Sequence, residues 1–328
     1  MKARKNERRQ RVVGTFPSPS PLSTASVRAH IDLITFAKPG EEFATKELKQ
    51  TLLELRSSGR LEVPRRQSEF WLTLHDPTAR QLEKLVNAYY FGEIQDLEIA
   101  VDFFLPPALD SIAARAAVHR YLRHGLAPTE FRLLDNARRR YSIRKGHIAL
   151  DKFAPRGPAF STYWWNRKHY ATLKLYDKVL DRGKPAQPKR VRVELALNRG
   201  GCQDLNVFRL AQLPDFLYDL RRIVAAAFTV ANGAKFNPRV TKSKRPSKLA
   251  TLARVNMAEL SRVSDGFSRW GSMWCVKHGI KPAPDARMTR VVGSALQQLS
   301  RRFKTVRLRP EIRKRVGRYK RKIVSIYQ

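Results

Sequence analysis

The 328-residue chain has only two cysteines, Cys202 and Cys275, and they stand far apart. There is no CxxC pair and no zinc spacing, so neither a disulfide scaffold nor a zinc module is built in, and a reducing cytoplasm is the natural setting. Long apolar runs are missing as well. The longest, Ile223 to Ala231, is about half of what a bilayer-spanning helix needs, so no membrane role is expected. The basic start Met1-Lys2-Ala3-Arg4-Lys5 leads into no apolar stretch, which argues against a secretory signal. No P-loop is present, so nothing points to ATP use or helicase activity in the chain itself. GxSxG and HExxH are absent, and the seven histidines include no His-x-His pair. Acid is scarce: 28 Asp and Glu face 65 Lys and Arg, a net charge of +37.

That imbalance calls for a polyanionic partner, and nucleic acid is the default. A hydrophobic content of 42% fits a folded protein with one large or two ordinary domains. The charge is unevenly spread. Residues 28–104 carry 10 basic and 13 acidic side chains, whereas 232–328 carry 25 basic and 4 acidic. A protein that only coats nucleic acid needs no acidic region; an enzyme that holds a cation beside a phosphate does.

Residues 1–26, with Arg8-Arg9-Gln10-Arg11 and a Pro/Ser-rich stretch, read as a flexible basic arm. The body is expected over 27–231. Period-2 and helical spacing predict a strand at 30–36, a helix at 45–57, a strand at 70–74, a helix from Asp76 to about Tyr90 and a strand around Glu98. In that second helix Asp76 is the expected N-cap and Pro77 the first helical residue. A helix near 109–122 comes next. Short strands are expected near 130–134, 139–143, 147–151, 160–166, 170–177 and 190–198, then helical spacing over 213–230. Residues 232–248 read as a basic linker and 249–328 as a basic helical accessory region that grips DNA. The mixture predicts an α+β fold: a largely antiparallel sheet with flanking helices, plus a basic, mainly helical C-terminal region.

Three alternating stretches carry the chemistry: Leu97-Glu98-Ile99-Ala100-Val101-Asp102, Thr172-Leu173-Lys174-Leu175-Tyr176-Asp177-Lys178 and Val191-Arg192-Val193-Glu194-Leu195. Alternate residues of a strand share a face. Glu98 and Asp102, then Lys174, Tyr176 and Lys178, then Arg192 and Glu194 therefore lie on polar faces over a dry one. Carboxylates, a tyrosine hydroxyl and cations on one surface are the parts of a metal-assisted site that cuts a phosphodiester with a tyrosine nucleophile. Glu98 and Asp102 sit four residues apart on one strand, about 13 Å, too far to share one ion easily. One is expected to bind the ion and the other to meet DNA or support a ligand, with Glu194 the firmer ligand and Asp32 a weaker fourth.

The ordered set of three strands resembles the rolling-circle replication initiators of filamentous phages and small plasmids, the replication initiation factor family. The match runs from about Val27 to Arg222. Members carry an Arg-hydrophobic-Asp-hydrophobic-Ala-x-Asp strand, where this chain has Leu97 to Asp102. They then carry an Arg, matched by Arg167, and a hydrophobic-Arg-hydrophobic-Tyr-x-Lys strand, matched by Leu173 to Lys178. Last comes Arg-hydrophobic-Glu-hydrophobic, matched by Arg192 to Leu195. Glu98 replaces the usual Asp, Leu97 the usual Arg, and Lys174 the usual Arg.

The resemblance implies an origin-nicking enzyme. Tyr176 would be the nucleophile with Lys178 beside it, Mg²⁺ or Mn²⁺ the cofactor, and Glu98, Asp102 and Glu194 the ligand candidates. Arg167, Lys174 and Arg192 would clamp phosphates. It further implies DNA as partner, both origin duplex and single-stranded nick site, together with host helicase and DNA polymerase; a homodimer is allowed. The tail lies outside the match, and its charge alone makes Arg313, Lys314, Arg315, Arg318, Lys320, Arg321 and Lys322 expected contacts to DNA. Tyr163 and Tyr170 are the nearest alternative nucleophiles, and His30 and His169 the only histidines near the strands. Two other readings stay open: a relaxase of a mobile element, and a non-catalytic DNA-binding regulator that kept the fold.

Overall fold

The computed structural model describes residues 24–41, 45–62, 71–126, 161–164, 170–181, 184–236 and 282–317. The alternating stretches named above form long strands, because each buries one continuous apolar face. Leu97, Ile99, Val101, Phe103, Leu173, Leu175, Val191, Val193, Leu195 and Leu197 all belong to a single core. Strands β1 (Ser26–Ala37), β2 (Leu61–Glu62), β3 (Trp71–His75), β4 (Ile94–Phe104), β5 (Ser161–Trp164), β6 (Ala171–Asp181) and β7 (Lys184–Asn198) make a seven-stranded sheet in the order β2-β3-β1-β4-β7-β6-β5. Every pairing in it is antiparallel. With helices packed on its apolar face, the protein is α+β, as its sequence predicts.

Helix α1 (Lys46–Ser57) is capped by Thr45, whose side chain accepts from the Leu48 amide. Helix α2 (Ala79–Ala88) starts two residues later than expected. Thr78 caps it through a reciprocal pair with Gln81, a stronger arrangement than a lone Asp. Asp76 instead sits at φ 40°, and its amide donates to the Asp32 carbonyl at 3.0 Å. The turn thereby ties the end of β3 to β1. Helix α3 (Ile112–Gly125) lies against β6 and β7. The spacing over 213–230 yields short pieces instead of one helix: α5 (Leu213–Tyr218) and α6 (Leu220–Val224), after α4 (Arg199–Asp204) and before a 3₁₀ turn at Ala225–Phe228. The expected strands at 130–134, 139–143 and 147–151 lie outside the described residues.

The C-terminal part enters the same core. A two-stranded ladder joins β8 (Ala231–Phe236) to β9 (Pro282–Pro284), so a strand occupies the start of the segment read as a linker. Helix α7 (Ala286–Arg302) then packs on β1, with Met288, Val292, Leu296 and Leu299 in the shared core. Phe303 and Val306 extend that core. Asn87 of α2 clips the following chain: its Nδ2 donates to the Arg307 carbonyl at 2.9 Å and its Oδ1 accepts from the Arg309 amide at 2.7 Å. Residues 310–317 are helical and place Arg313, Lys314 and Arg315 in solvent.

His119 on α3 is buried, and its ring is hydrogen-bonded to the Leu175 backbone; burial pushes its pKa down to about 4. Unfolding restores the ordinary value near 6.5, so the unfolded chain binds the proton more readily. Its contribution is present above pH 6.5 and is lost as the pH falls toward 4, about 3 kcal/mol in all. Urea titrations of wild type and His119→Gln from pH 7 to 4 should show the wild type losing more stability than the variant by roughly that amount.

Candidate active site

Four central strands bring the polar faces together. Cross-strand pairing aligns Arg28 with Asp102, Asp102 with Arg192, and Arg192 with Tyr176. The adjacent row aligns His30, Ala100, Glu194 and Lys174. The third row aligns Glu98, Ala196 and Thr172. Small residues thus alternate with acids: Ala100 lies opposite Glu194, and Ala196 opposite Glu98.

A bulge completes the set. The β1–β4 register steps from Ile31↔Ile99 to Leu33↔Glu98, leaving Asp32 as the extra residue. Bulges re-aim side chains, and this one brings Asp32 beside Glu98 and Glu194. The carboxylate oxygens of Asp32, Glu98 and Glu194 lie within 4.8 Å of one another. His30, Asp32 and Asp76 form a second such group.

Beneath the acids lies Arg192, whose side chain has no exposed surface. Its Nε donates to Asp102 Oδ1 at 2.6 Å and its Nη2 to Asp102 Oδ2 at 2.9 Å, a bidentate pair. Its Nη1 donates to Asp32 Oδ1. His30 Nε2 lies 2.8 Å from Arg192 Nη2 and 3.3 Å from Asp32 Oδ1, accepting from the first or donating to the second according to where the ring holds its proton. Arg190 Nε adds a charge contact 2.8 Å from Asp102 Oδ2, and Lys178 Nζ stands 3.6 Å from Asp32 Oδ1.

Lys174 joins the two glutamates. Its ammonium donates to Glu98 Oε1 at 2.8 Å and to Glu194 Oε1 at 2.5 Å. The other Glu194 oxygen accepts from the Tyr176 hydroxyl at 2.6 Å. Burial, reinforced by the Glu194 charge, lifts the Tyr176 phenol well above its ordinary range and keeps it protonated. Burial and the nearby Glu194 raise Glu98 to about 7, against the pull of Lys174. For Asp32, burial opposes ionisation, but the hydrogen bond with His30 and the charges of Arg192 and Lys178 hold the carboxyl well below its usual range. Lys174 loses solvation by burial, yet Glu98 and Glu194 hold it firmly charged.

The geometry gives the expected site residues definite partners. Asp102, considered as a metal ligand, is paired with Arg192 and Arg190 and stands outside the three-carboxylate group. Arg192, considered as a phosphate clamp, is buried and holds carboxylates instead. Lys174, partly exposed, contacts Glu98 and Glu194. Asp32, the weakest candidate in the sequence, joins Glu98 and Glu194. The hydrogen bond from Tyr176 to Glu194 follows from strand register and was not read from either residue alone. Tyr170 packs against Gly200, where a Cβ would fall 2.0 Å from its ring. Arg167, His169, Arg318, Lys320, Arg321 and Lys322 lie outside the described residues, as does the side chain of Tyr163.

Hard carboxylate oxygens in this grouping suit Mg²⁺ or Mn²⁺, so Asp32, Glu98 and Glu194 fit such an ion as a donor set. No protein-family model matches the chain, and no curated protein matches it. Among solved structures it is similar to a rolling circle replication initiator protein from Geobacillus stearothermophilus, at 13% identity and a TM-score of 0.33, covering 60% of this chain and 85% of that one.

Removing Arg192 should be costly, because Asp102 would be left buried without its bidentate partner. Arg192→Met is expected to lose about 3–5 kcal/mol in urea unfolding. Arg192→Met combined with Asp102→Leu should recover part of that loss, since the buried Asp102 charge is gone while Asp32 keeps His30 and Lys178 and only Arg190 loses its acid.

Proposed function

We propose that this chain is a replication initiator that nicks one DNA strand at an origin through Tyr176. The observation that carries the reading is the Tyr176 hydroxyl, held 2.6 Å from Glu194 Oε2 within a cluster of three carboxylates. The motif order in the sequence and the charge of +37 support it. Tyr176 is the nucleophile and Glu194 the base that takes its proton. The phenol oxygen attacks the scissile phosphorus in line, and the O–P bond to Tyr176 forms as the P–O3′ bond breaks. The phenol proton passes to Glu194, and the leaving 3′ oxygen takes up a proton from solvent. The products are a 5′-phosphotyrosine and a free 3′-OH that a host polymerase extends. A second transfer later joins the displaced strand. Asp32, Glu98 and Glu194 would hold Mg²⁺ or Mn²⁺, which would supply positive charge to the phosphate oxygens.

Lys178, 3.6 Å from Asp32, is the cation assigned to the same phosphate. Arg192 is a positioning residue that orients Asp32 and Asp102. The basic C-terminal segment gives affinity that falls with salt, because bound phosphates release counterions. A relaxase would use the same chemistry. One feature favours the non-catalytic alternative, a DNA-binding protein that keeps the fold: an ammonium already lies between Glu98 and Glu194. That reading expects no covalent adduct.

Incubation with supercoiled origin plasmid and Mg²⁺ should give a protein–DNA adduct on a denaturing gel. Tyr176→Phe should abolish it while leaving DNA binding nearly intact. Chelator and Glu194→Ala should each remove it. Adduct persisting in Tyr176→Phe would move the nucleophile elsewhere, and its absence from wild type under every divalent ion would favour the regulator.

Truncation after Gly317 removes Arg318, Lys320, Arg321 and Lys322 but spares Phe303 and Val306 of the core. Each lost phosphate contact is worth roughly 0.9 in the salt slope on duplex DNA. The slope should therefore flatten by up to about 3.6, with cleavage at low salt retained. An unchanged slope would remove these residues from the DNA contact.

A further inference from the structure

Lys174 has no role in the chemistry as written above, yet it is the most closely held cation at the carboxylate cluster. Its ammonium takes one oxygen from Glu98 and one from Glu194. Glu194 is almost fully buried, with 2% of its side chain exposed, and its second oxygen is already occupied by Tyr176. A divalent ion at Asp32, Glu98 and Glu194 would need the oxygens that the ammonium now holds.

The formal charges around the cluster also balance without an ion. Asp32, Asp102, Glu98 and Glu194 face Lys174, Lys178, Arg190 and Arg192, and each cation lies within 4.0 Å of at least one of these acids. A divalent ion entering alone would make the group doubly positive and would meet Lys174 at contact range. A phosphodiester changes this. It brings a negative charge and acceptor oxygens, and so offers the ammonium another partner.

We propose that Lys174 is a built-in cation that holds Glu98 and Glu194 until a nucleic-acid phosphate arrives, so that metal and DNA bind this site together. When the phosphate docks, the ammonium turns to it and frees the two glutamates for Mg²⁺ or Mn²⁺. Only small side chains flank the glutamates across the β4–β7 pairing, Ala100 opposite Glu194 and Ala196 opposite Glu98. Lysine suits the task better than arginine. It is a point charge on a flexible stem, whereas a guanidinium fork would grip both carboxylates in a fixed plane. Linkage makes the effect reciprocal: DNA tightens metal binding by the factor by which metal tightens DNA binding.

The proposal rests on the reading of this site as a phosphodiester-cleaving centre. It is tested on full-length Tyr176→Phe, which cannot form an adduct, by following free Mn²⁺ with electron paramagnetic resonance. Binding to a single-stranded oligodeoxynucleotide alone is subtracted. The protein is expected to bind Mn²⁺ at least about tenfold more tightly with saturating oligonucleotide than without it. Lys174→Met in the same background should bind Mn²⁺ without DNA nearly as tightly as the parent does with DNA, and should gain little when DNA is added. Thermal melting with and without Mn²⁺ shows whether that variant is folded. If it is not, the comparison with and without oligonucleotide in the Tyr176→Phe protein decides alone.

Equal Mn²⁺ affinity with and without oligonucleotide would overturn the proposal, as would a folded Lys174→Met that binds the ion no better. Either result beside a normal adduct in wild type leaves the nicking reading standing. Absence of adduct in wild type removes the nicking reading whatever the ion does.

Discussion

Arg192 has no exposed side-chain surface, and its guanidinium joins Asp102 of β4 to Asp32 of β1 from a position on β7. Three strands therefore share one buried charge. Breaking such a pair leaves an uncompensated ion away from water, which is far more costly than the pair is stabilising. Any arrangement of β1, β4 and β7 that fails to deliver both carboxylates to Arg192 is penalised heavily. The interaction fixes register as much as it adds stability, and the carboxylate cluster above it inherits that precision. Asp32 is held in place from below by Arg192 and from the side by His30 and Lys178.

The sheet divides its labour by face. One face is a largely apolar core, interrupted by the buried Arg115–Asp177 pair and His119 and filled by helices that include α7. The other concentrates acids on a strongly basic protein. Negative charge is thus concentrated on one sheet face of a chain whose net charge is +37. The same face holds the Tyr176 phenol against Glu194. A phenol that donates to a buried carboxylate keeps its proton until positive charge is added nearby.

Much of this was legible in the sequence. Strict alternation around Glu98, Tyr176 and Glu194 predicts three strands with apolar backs, and the structure has them as β4, β6 and β7. The polar residues on each strand follow from the same alternation. What alternation does not give is the pairing. Strand order and register decide that Glu194 meets Tyr176 and Lys174, and that Asp102 meets Arg192. Both are set by long-range packing, and no local pattern encodes them. The broken helix after Leu213 and the cap at Thr78 are local details where a competing signal won: Thr78 with Gln81 makes a reciprocal cap that Asp76 cannot. Asp32 is the instructive case. In β1 the core residues fall at Ala29 and Ile31, then at Ile34 and Phe36, so the period of two slips between Ile31 and Ile34. That odd spacing was the available sign of a bulge.

The slip at Asp32 gives β1 one residue more than its pairing with β4 uses. The two halves of the strand are out of phase by one residue, and the bulge absorbs the difference. A substitution at position 32 changes a side chain and leaves both halves seated. A one-residue deletion there would remove the bulge itself. With the extra residue gone, Ala29, Ile31, Ile34 and Phe36 fall on one unbroken period of two, so the apolar face stays seated and what is lost is the carboxylate beside Glu98 and Glu194. The fold of β1 therefore does without its extra residue, whereas the acidic cluster does not.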